Sequence, residues 1–214
     1  MKARSVSFFC FCISLFLFST SVFGVSITST LDGTAPVSTG TYQAVTGVQT
    51  GRLNRFSPAS SCGSVKPNPG NFSTTGSRQF DQYRFVALSS GCGTVTLSNA
   101  GDNVLFSTAY DSNGLNTSDT SLNYLADMAA SPTTGVPVRS YSFDVVAGQI
   151  FNIVVNEVDV GGGIGQSYDL DVSGVKLAPD FSISEVLDTS PPQEHPASFT
   201  ASGSQSTKCS QSGG

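Results

Sequence analysis

The run DSNGLNTSD, residues 111–119, sets Asp111, Asn113, Asn116 and Asp119 close together behind the apolar stretch NVLFSTA. Oxygen-bearing side chains at this density are what a calcium ion takes as ligands, with backbone carbonyls filling the remaining positions. The spacing departs from the EF-hand loop, which needs Asp or Asn at alternate positions, then glycine and a later glutamate. A strand that ends at Tyr110 would select the same Asp, Ser, Asn and Gly merely to turn. Two readings therefore stand. Asp111, Asn113 and Asp119 are calcium candidates, which Asp127 or the Glu157 and Asp159 pair would complete if the loops converge; alternatively the run is a structural turn. Neither reading requires a cofactor.

Hydrolytic chemistry finds less support. It needs a nucleophile, a base and an orienting group on a rigid scaffold. The single histidine, His195, sits between prolines in PPQEHPAS, where nothing orients it as a base. Among the carboxylates open to glycosidase chemistry, Asp169 and Asp171 alternate as the water-facing residues of a strand do. GGGIGQ, from Gly161, lacks the following helix that a phosphate cradle requires. No catalytic residue is assigned, and the expectation is a non-enzymatic protein. Sugar contact usually relies on exposed aromatic platforms. The chain has no Trp, and its Phe and Tyr residues fall mostly on the inward phase of strands. Tyr124, in LNYLAD, has no assignable phase and is the candidate binding residue.

The elements that would carry these residues begin after a leader. Lys2 and Arg4 precede an apolar core from Phe8 to Phe18, followed by small and polar residues with Val22 and Gly24 at cleavage positions. That core, about 11 residues, is too short to span a membrane, which takes about 20. Residues 1–24 read as a secretory signal peptide, which makes the product secreted, extracellular or at the cell surface. Cleavage removes two positive charges and takes the formal charge from -5 to -7. Such an acidic chain is poorly suited to nucleic acid or to anionic membrane surfaces.

Three cysteines remain. Cys62 and Cys92 are natural partners in an exported protein, closing a loop of about 30 residues worth roughly 3 to 4 kcal/mol in the chain-entropy model. Cys209, in a Ser/Gly-rich tail, is left free, pairs between chains, or competes for one of the others. One histidine and no cysteine pair at ligand spacing argue against zinc.

Strand-period alternation fills the mature chain to about Leu177, with no helical period. In RSYSFDVVAGQIFNIVVNEV, Tyr141, Phe143 and Val145 face one way before an Ala-Gly turn, and Phe151, Ile153 and Val155 after it, which predicts a hairpin. Tyr83, Phe85 and Ala87; Val95 and Leu97; Val104, Phe106 and Tyr110; and Tyr168, Leu170 and Val172 are likewise read as inward. With VSITSTL and TGRLNRF, this gives about 7–9 strands of an all-β antiparallel sandwich, jelly-roll-like, over residues 25–178. Residues 57–77 carry too many turn residues for a strand and read as a long connection pinned by the Cys62–Cys92 bridge. Residues 179–214 read as a flexible tail, or as the start of an incomplete second β-module carrying Phe181, Ile183 and Phe199.

In order, TGRLNRF, FDQYRF, GTVTLSN, NVLFSTAYDSNG, NYLAD, YSFDVVAGQIFNIVVNEV and SYDLDVSGV resemble the bacterial pre-peptidase C-terminal (PPC) domain, over about Leu31 to Val175. The resemblance implies a secreted jelly-roll sandwich that accompanies exported proteases or other enzymes. It also implies calcium, collagen or polysaccharide binding in some relatives. The expectation from the residues is a module with no catalytic domain attached. The functional expectation is a binding module for an extracellular protein or polysaccharide, with an accessory to an exported protease and a structural surface subunit as alternatives.

Overall fold

The alternating runs pair as two antiparallel sheets in the computed structural model, which describes residues 24–178. The leader ahead of Gly24 and the tail with Phe181, Ile183, His195, Phe199 and Cys209 lie outside the described residues. Nine strands form: β1 Gly24–Leu31, β2 Gln43–Leu53, β3 Asn71–Val86, β4 Gly91–Ser98, β5 Leu105–Tyr110, β6 Tyr124–Asp127, β7 Val138–Val145, β8 Ile150–Glu157 and β9 Gln166–Ser173. One sheet has the order β1-β9-β4-β7 and the other β2-β3-β8-β5-β6. With β2 set aside as an added edge, the remaining eight interleave as a jelly roll.

The four-stranded sheet is buried on one face only. Ile27, Val95, Leu97, Tyr141, Phe143, Val145, Tyr168, Leu170 and Val172 enter the core. On the water face, hydroxyls and carboxylates pair across strands: Thr28 Oγ1 donates to Asp169 Oδ1 at 2.6 Å, Ser26 donates to Asp171, and Thr96 and Ser140 meet at 2.8 Å. Asp169 and Asp171 thus take the solvent phase that their alternation predicts.

The five-stranded sheet is buried on both faces along β5 and β8, and here the single-sided expectation needs correction. Ser107 reaches across the sandwich to the Tyr141 hydroxyl at 3.0 Å. Tyr110, three residues on, therefore projects from the opposite face, not inward. It packs there with Leu53, Phe80 and Val154 in a second apolar cluster, against which Leu115 and Tyr124 lie. All six residues of β5 are buried, so apolarity alone does not mark its inner side.

Two segments cover that outer face. The β2–β3 pair curls through register shifts around Arg52, with Gly51 and Gly76 at φ 76° and 80°. A Cβ on Gly51 would lie 1.9 Å from the Ser73 carbonyl oxygen, so only glycine serves. The loop of residues 111–123 supplies the rest: Thr50 N–H donates to Thr117 O at 2.7 Å, and Leu115 N–H to Gln82 Oε1 at 2.9 Å. Fully burying a side chain such as Val154 in this way stabilises by about 1.5–3 kcal/mol.

The connection of residues 54–70 bridges the β6 edge of one sheet and the β7 edge of the other. Ser60 N–H donates to Asp127 O on β6, while Ser60 O accepts from Ser142 N–H on β7. Cys62 is bonded to Cys92 at the start of β4, with Cα atoms 5.7 Å apart. An unpaired sheet edge is an aggregation hazard, and this strap covers part of the β6 and β7 edges.

Candidate functional site

Asp111, Asn113, Asn116 and Asp119 all lie on the loop that covers the five-stranded sheet, where their polar atoms hold the turn. Asp111 Oδ1 accepts from Asn113 N–H at 2.8 Å. Asn116 Oδ1 accepts from the amides of Ser118 and Asp119, each at 3.0 Å. Asp119 Oδ1 takes three donors, Asn71 Nδ2 at 2.7 Å and the Ser121 amide and hydroxyl at 3.0 and 2.6 Å. Those bonds favour the ionised form and hold the Asp119 carboxyl below its usual range, the Ser121 hydroxyl first and Asn71 next. Among the described residues no group of three His, Cys, Asp or Glu is placed to share a metal.

The side chains considered as completing partners go elsewhere. Asp127 is fully buried, ion-paired with Lys66 Nζ at 2.7 Å, and accepts from Ala129 N–H at 2.6 Å. Tyr124 is half-buried against the outer cluster and donates its hydroxyl to Asp127 Oδ2 at 2.5 Å. Glu157 and Asp159 part company. Glu157 closes the end of the sandwich, accepting from Gln79 N–H at 2.8 Å and Gly163 N–H at 3.3 Å, whereas Asp159 is exposed.

Asp159 instead acts electrostatically on Arg52 and Arg55, which lie with Arg78 towards the curled end of β2–β3. Arg52 and Arg78 are buried to 8% and 7% exposure, and Arg55 is half-buried. Their positions are fixed by neighbouring oxygens. Arg52 Nη1 donates to Leu53 O at 3.1 Å. Arg78 donates from Nε to Val158 O at 2.9 Å and from Nη1 to Thr75 O at 2.9 Å and Gly76 O at 3.2 Å. Arg55 Nη1 meets Asn103 Oδ1 at 2.5 Å and Ser131 Oγ at 3.0 Å. The Arg52 guanidinium carbon lies 3.9 Å from the centroid of the Phe72 ring, a cation–π contact. Phe72 is itself 63% exposed, so the other face of the ring is open.

The charges here do not cancel. None of the three arginines is ion-paired among the described residues, where the one salt bridge joins Lys66 to Asp127. Burial lowers the Arg52 pKa, the positive charges of Arg55 and Arg78 lower it further, and Asp159 opposes them. Arg55 is lowered by burial as well, again opposed by Asp159. Arg52 Nε is buried with no hydrogen-bond partner among the described residues. The geometry provides fixed guanidinium donors beside an open aromatic ring.

The sequence contained both halves of this site without joining them. Alternation places GRLNRF on a strand, and its turn formers place NFSTTGS in a surface connection. The curl that brings Phe72 over Arg52 depends on a bulge, which leaves no apolar periodicity to detect. The hint available was an aromatic residue within a run of turn formers.

No protein-family model matches the chain, and no curated protein matches it. Solved structures similar to it include a family 35 carbohydrate-binding module from Cellvibrio japonicus, 19% identical, covering 64% of this chain and 95% of that one, with a TM-score of 0.31. Xyl-CBM35 in complex with a glucuronic acid-containing disaccharide is 16% identical over 63% of this chain and 94% of that one, with a TM-score of 0.29. A family 35 module from an environmental isolate is 12% identical over 62% and 96%, also with a TM-score of 0.29.

Proposed function

We propose that this protein is an exported, non-catalytic β-sandwich module that attaches to an extracellular polysaccharide. The observation that carries the reading is Phe72, an aromatic ring held out to solvent on one face and stacked by a buried guanidinium on the other. Apolar side chains usually go where water is excluded, and a ring fixed outward at this exposure is what stacks on the flat face of a sugar. The neighbouring arginines supply rigid donors for hydroxyl or acidic substituents. The leader and the Cys62–Cys92 bridge support an oxidising, extracytoplasmic setting.

Affinity electrophoresis of the mature protein through gels containing neutral and acidic polysaccharides tests the reading. Retardation by at least one polymer, lost in Phe72→Ala, is expected. Unchanged mobility in every gel would overturn it.

A further inference from the structure

We propose that the free edge of β2, centred on Gly47, pairs with the same edge of a second copy of this chain and joins the two five-stranded sheets antiparallel about a two-fold axis.

β2 is the outermost strand of its sheet, so every second residue turns its backbone N–H and C=O away from β3. Towards both ends these groups are already taken. The Ser38 hydroxyl accepts from Ala44 N–H at 2.9 Å and donates to Ala44 O at 3.4 Å, and Thr50 N–H donates to Thr117 O at 2.7 Å. Between them Thr46 and Val48 have the same outward phase, and among the described residues their backbone groups bond to nothing on that side. Two donors and two acceptors thus stand open in a window of residues 45–49. Edge strands are ordinarily guarded by lysine, proline, an inward charge or a bulge. From Gln43 to Thr50 the register with β3 is unbroken, and the sequence has no charge and no proline. The opposite edge of the sheet, β6, is partly covered by the 54–70 connection.

The window is complementary to itself. A two-fold axis through Gly47 places Thr46 opposite Val48 of the second copy and Val48 opposite its Thr46, so each pair exchanges both backbone bonds and every open donor and acceptor is used. Gly47 then faces Gly47, where the strands come closest and no side chain intervenes. Val48, 53% exposed, gains Thr46 of the other copy as its cross-strand neighbour. Charge selects the same edge. Two copies of a chain of formal charge -5 repel each other, and pairing through β1 would bring together the Asp169 and Asp171 that lie next to it. Along β2 the facing residues of β3, Gln79 to Gln82, hold one charge, Asp81, and it is fully buried. Such a window is small beside the roughly 20–30 residues a side of a standard interface, so the dimer is weak and forms with rising concentration.

Sedimentation equilibrium of the mature protein up to about 1 mM, with amide hydrogen exchange at low and high concentration, tests the pairing. Neither measurement contains a polysaccharide, so the outcome is independent of the attachment reading. The expected result is a reversible dimer, with exchange at the Thr46 and Val48 amides slowing as concentration rises. Val48→Pro deletes one outward donor without removing a bond to β3, at a position where an edge strand accepts proline. It should weaken the dimer about tenfold or more with little change in melting temperature. Val48→Lys, which sets two like charges across the axis, should do the same, and it decides the matter if the proline variant does not fold. Val65→Lys, at a 96% exposed position of the 54–70 connection, is the control and should dimerise as wild type does. A monomer up to about 1 mM would overturn the proposal. So would a dimer that the Val48 variants leave intact, since it uses another surface. Protection of Thr46 and Val48 that does not vary with concentration would overturn it too, since the occupant of the edge is then not a second copy.

Discussion

Tyr168 donates its hydroxyl to Oδ2 of Asp81 at 2.6 Å inside the sandwich, where Asp81 is completely buried. The Tyr83 hydroxyl lies 2.6 Å from that of Tyr168, so the three side chains form a polar chain through the apolar core. Burial raises the Asp81 pKa, and the hydrogen bond from Tyr168 offsets this only partly. Among the described residues Asp81 Oδ1 has no hydrogen-bond partner. With the folded pKa above the unfolded value of about 3.9, the native state holds more protons between the two values, and this residue's contribution to stability falls as pH rises through that window. Asp81→Asn keeps an acceptor for Tyr168 and removes the charge. Thermal unfolding should show the variant more stable than wild type at pH 7, with the advantage vanishing towards pH 4. A variant that melts lower at pH 7 would sink the assignment.

Asp119 carries the opposite sign. Its carboxylate is stabilised by the Ser121 hydroxyl, Asn71 and the Ser121 amide, so its folded pKa lies below the unfolded one. That contribution is complete above the unfolded value and is lost as pH falls through the folded one. Asp119→Ala should therefore lower the melting temperature at pH 7 and make little difference at pH 2. A calcium ion at 100 times its dissociation constant would add about 2.7 kcal/mol to stability. With Asp111, Asn116 and Asp119 already serving the turn, calcium and chelator should give the same melting midpoint. A rise with calcium that Asp111→Ala abolishes would restore the metal reading.

Much of the fold was legible because the four-stranded sheet obeys the simplest rule available, one face in and one face out. Tyr141, Phe143 and Val145 and the strand Tyr168, Leu170 and Val172 announce themselves by alternation. Where both faces are covered, as along β5 and β8, nearly every residue is buried and the alternation has no contrast. Tyr110, expected inward, lies in the outer cluster for this reason. The arginine site was illegible on different grounds. Arg52 and Phe72 are 20 residues apart in sequence, and they meet where the β2–β3 pair bends with Gly51 and Gly76 at positive φ.

The buried pair Lys66 and Asp127 gives a sharper energetic test. Lys66 Nζ also donates to Phe56 O at 2.7 Å, so the lysine ties the 54–70 connection to β6 through two oxygens. Removing one partner strands the other charge in the interior, where Asp127 is fully buried and the Lys66 side chain is 10% exposed. Lys66→Met should cost about 3–5 kcal/mol in chemical denaturation, whereas Lys66→Met combined with Asp127→Leu should recover part of that loss. If the double variant is as unstable as the sum of the single ones, the two charges are not coupled.

Gly163 makes a steric prediction that the two preceding glycines do not share. A Cβ at Gly163 would stand 2.6 Å from Glu157 Cβ, 2.9 Å from Leu105 Cδ2 and 3.0 Å from Val104 O. Two of these neighbours belong to packed side chains and one to backbone, so none can move cheaply. Gly162 has no contact closer than 3.4 Å, and Gly161 has none within 4 Å. Overpacking of a filled interior costs about 1–3 kcal/mol. Gly163→Ala should therefore lower stability by that amount, and it should also loosen Glu157, whose Oε2 accepts from the Gly163 amide. Gly135→Ala, with open space around it and no left-handed φ, is the control and should be nearly neutral. Hydrogen exchange at the Gln79 amide, which donates to the other Glu157 oxygen, reports the local effect. Faster exchange there in Gly163→Ala, together with the stability loss, is the expected outcome. Unchanged exchange would mean that the loop gives way without disturbing the carboxylate it closes over.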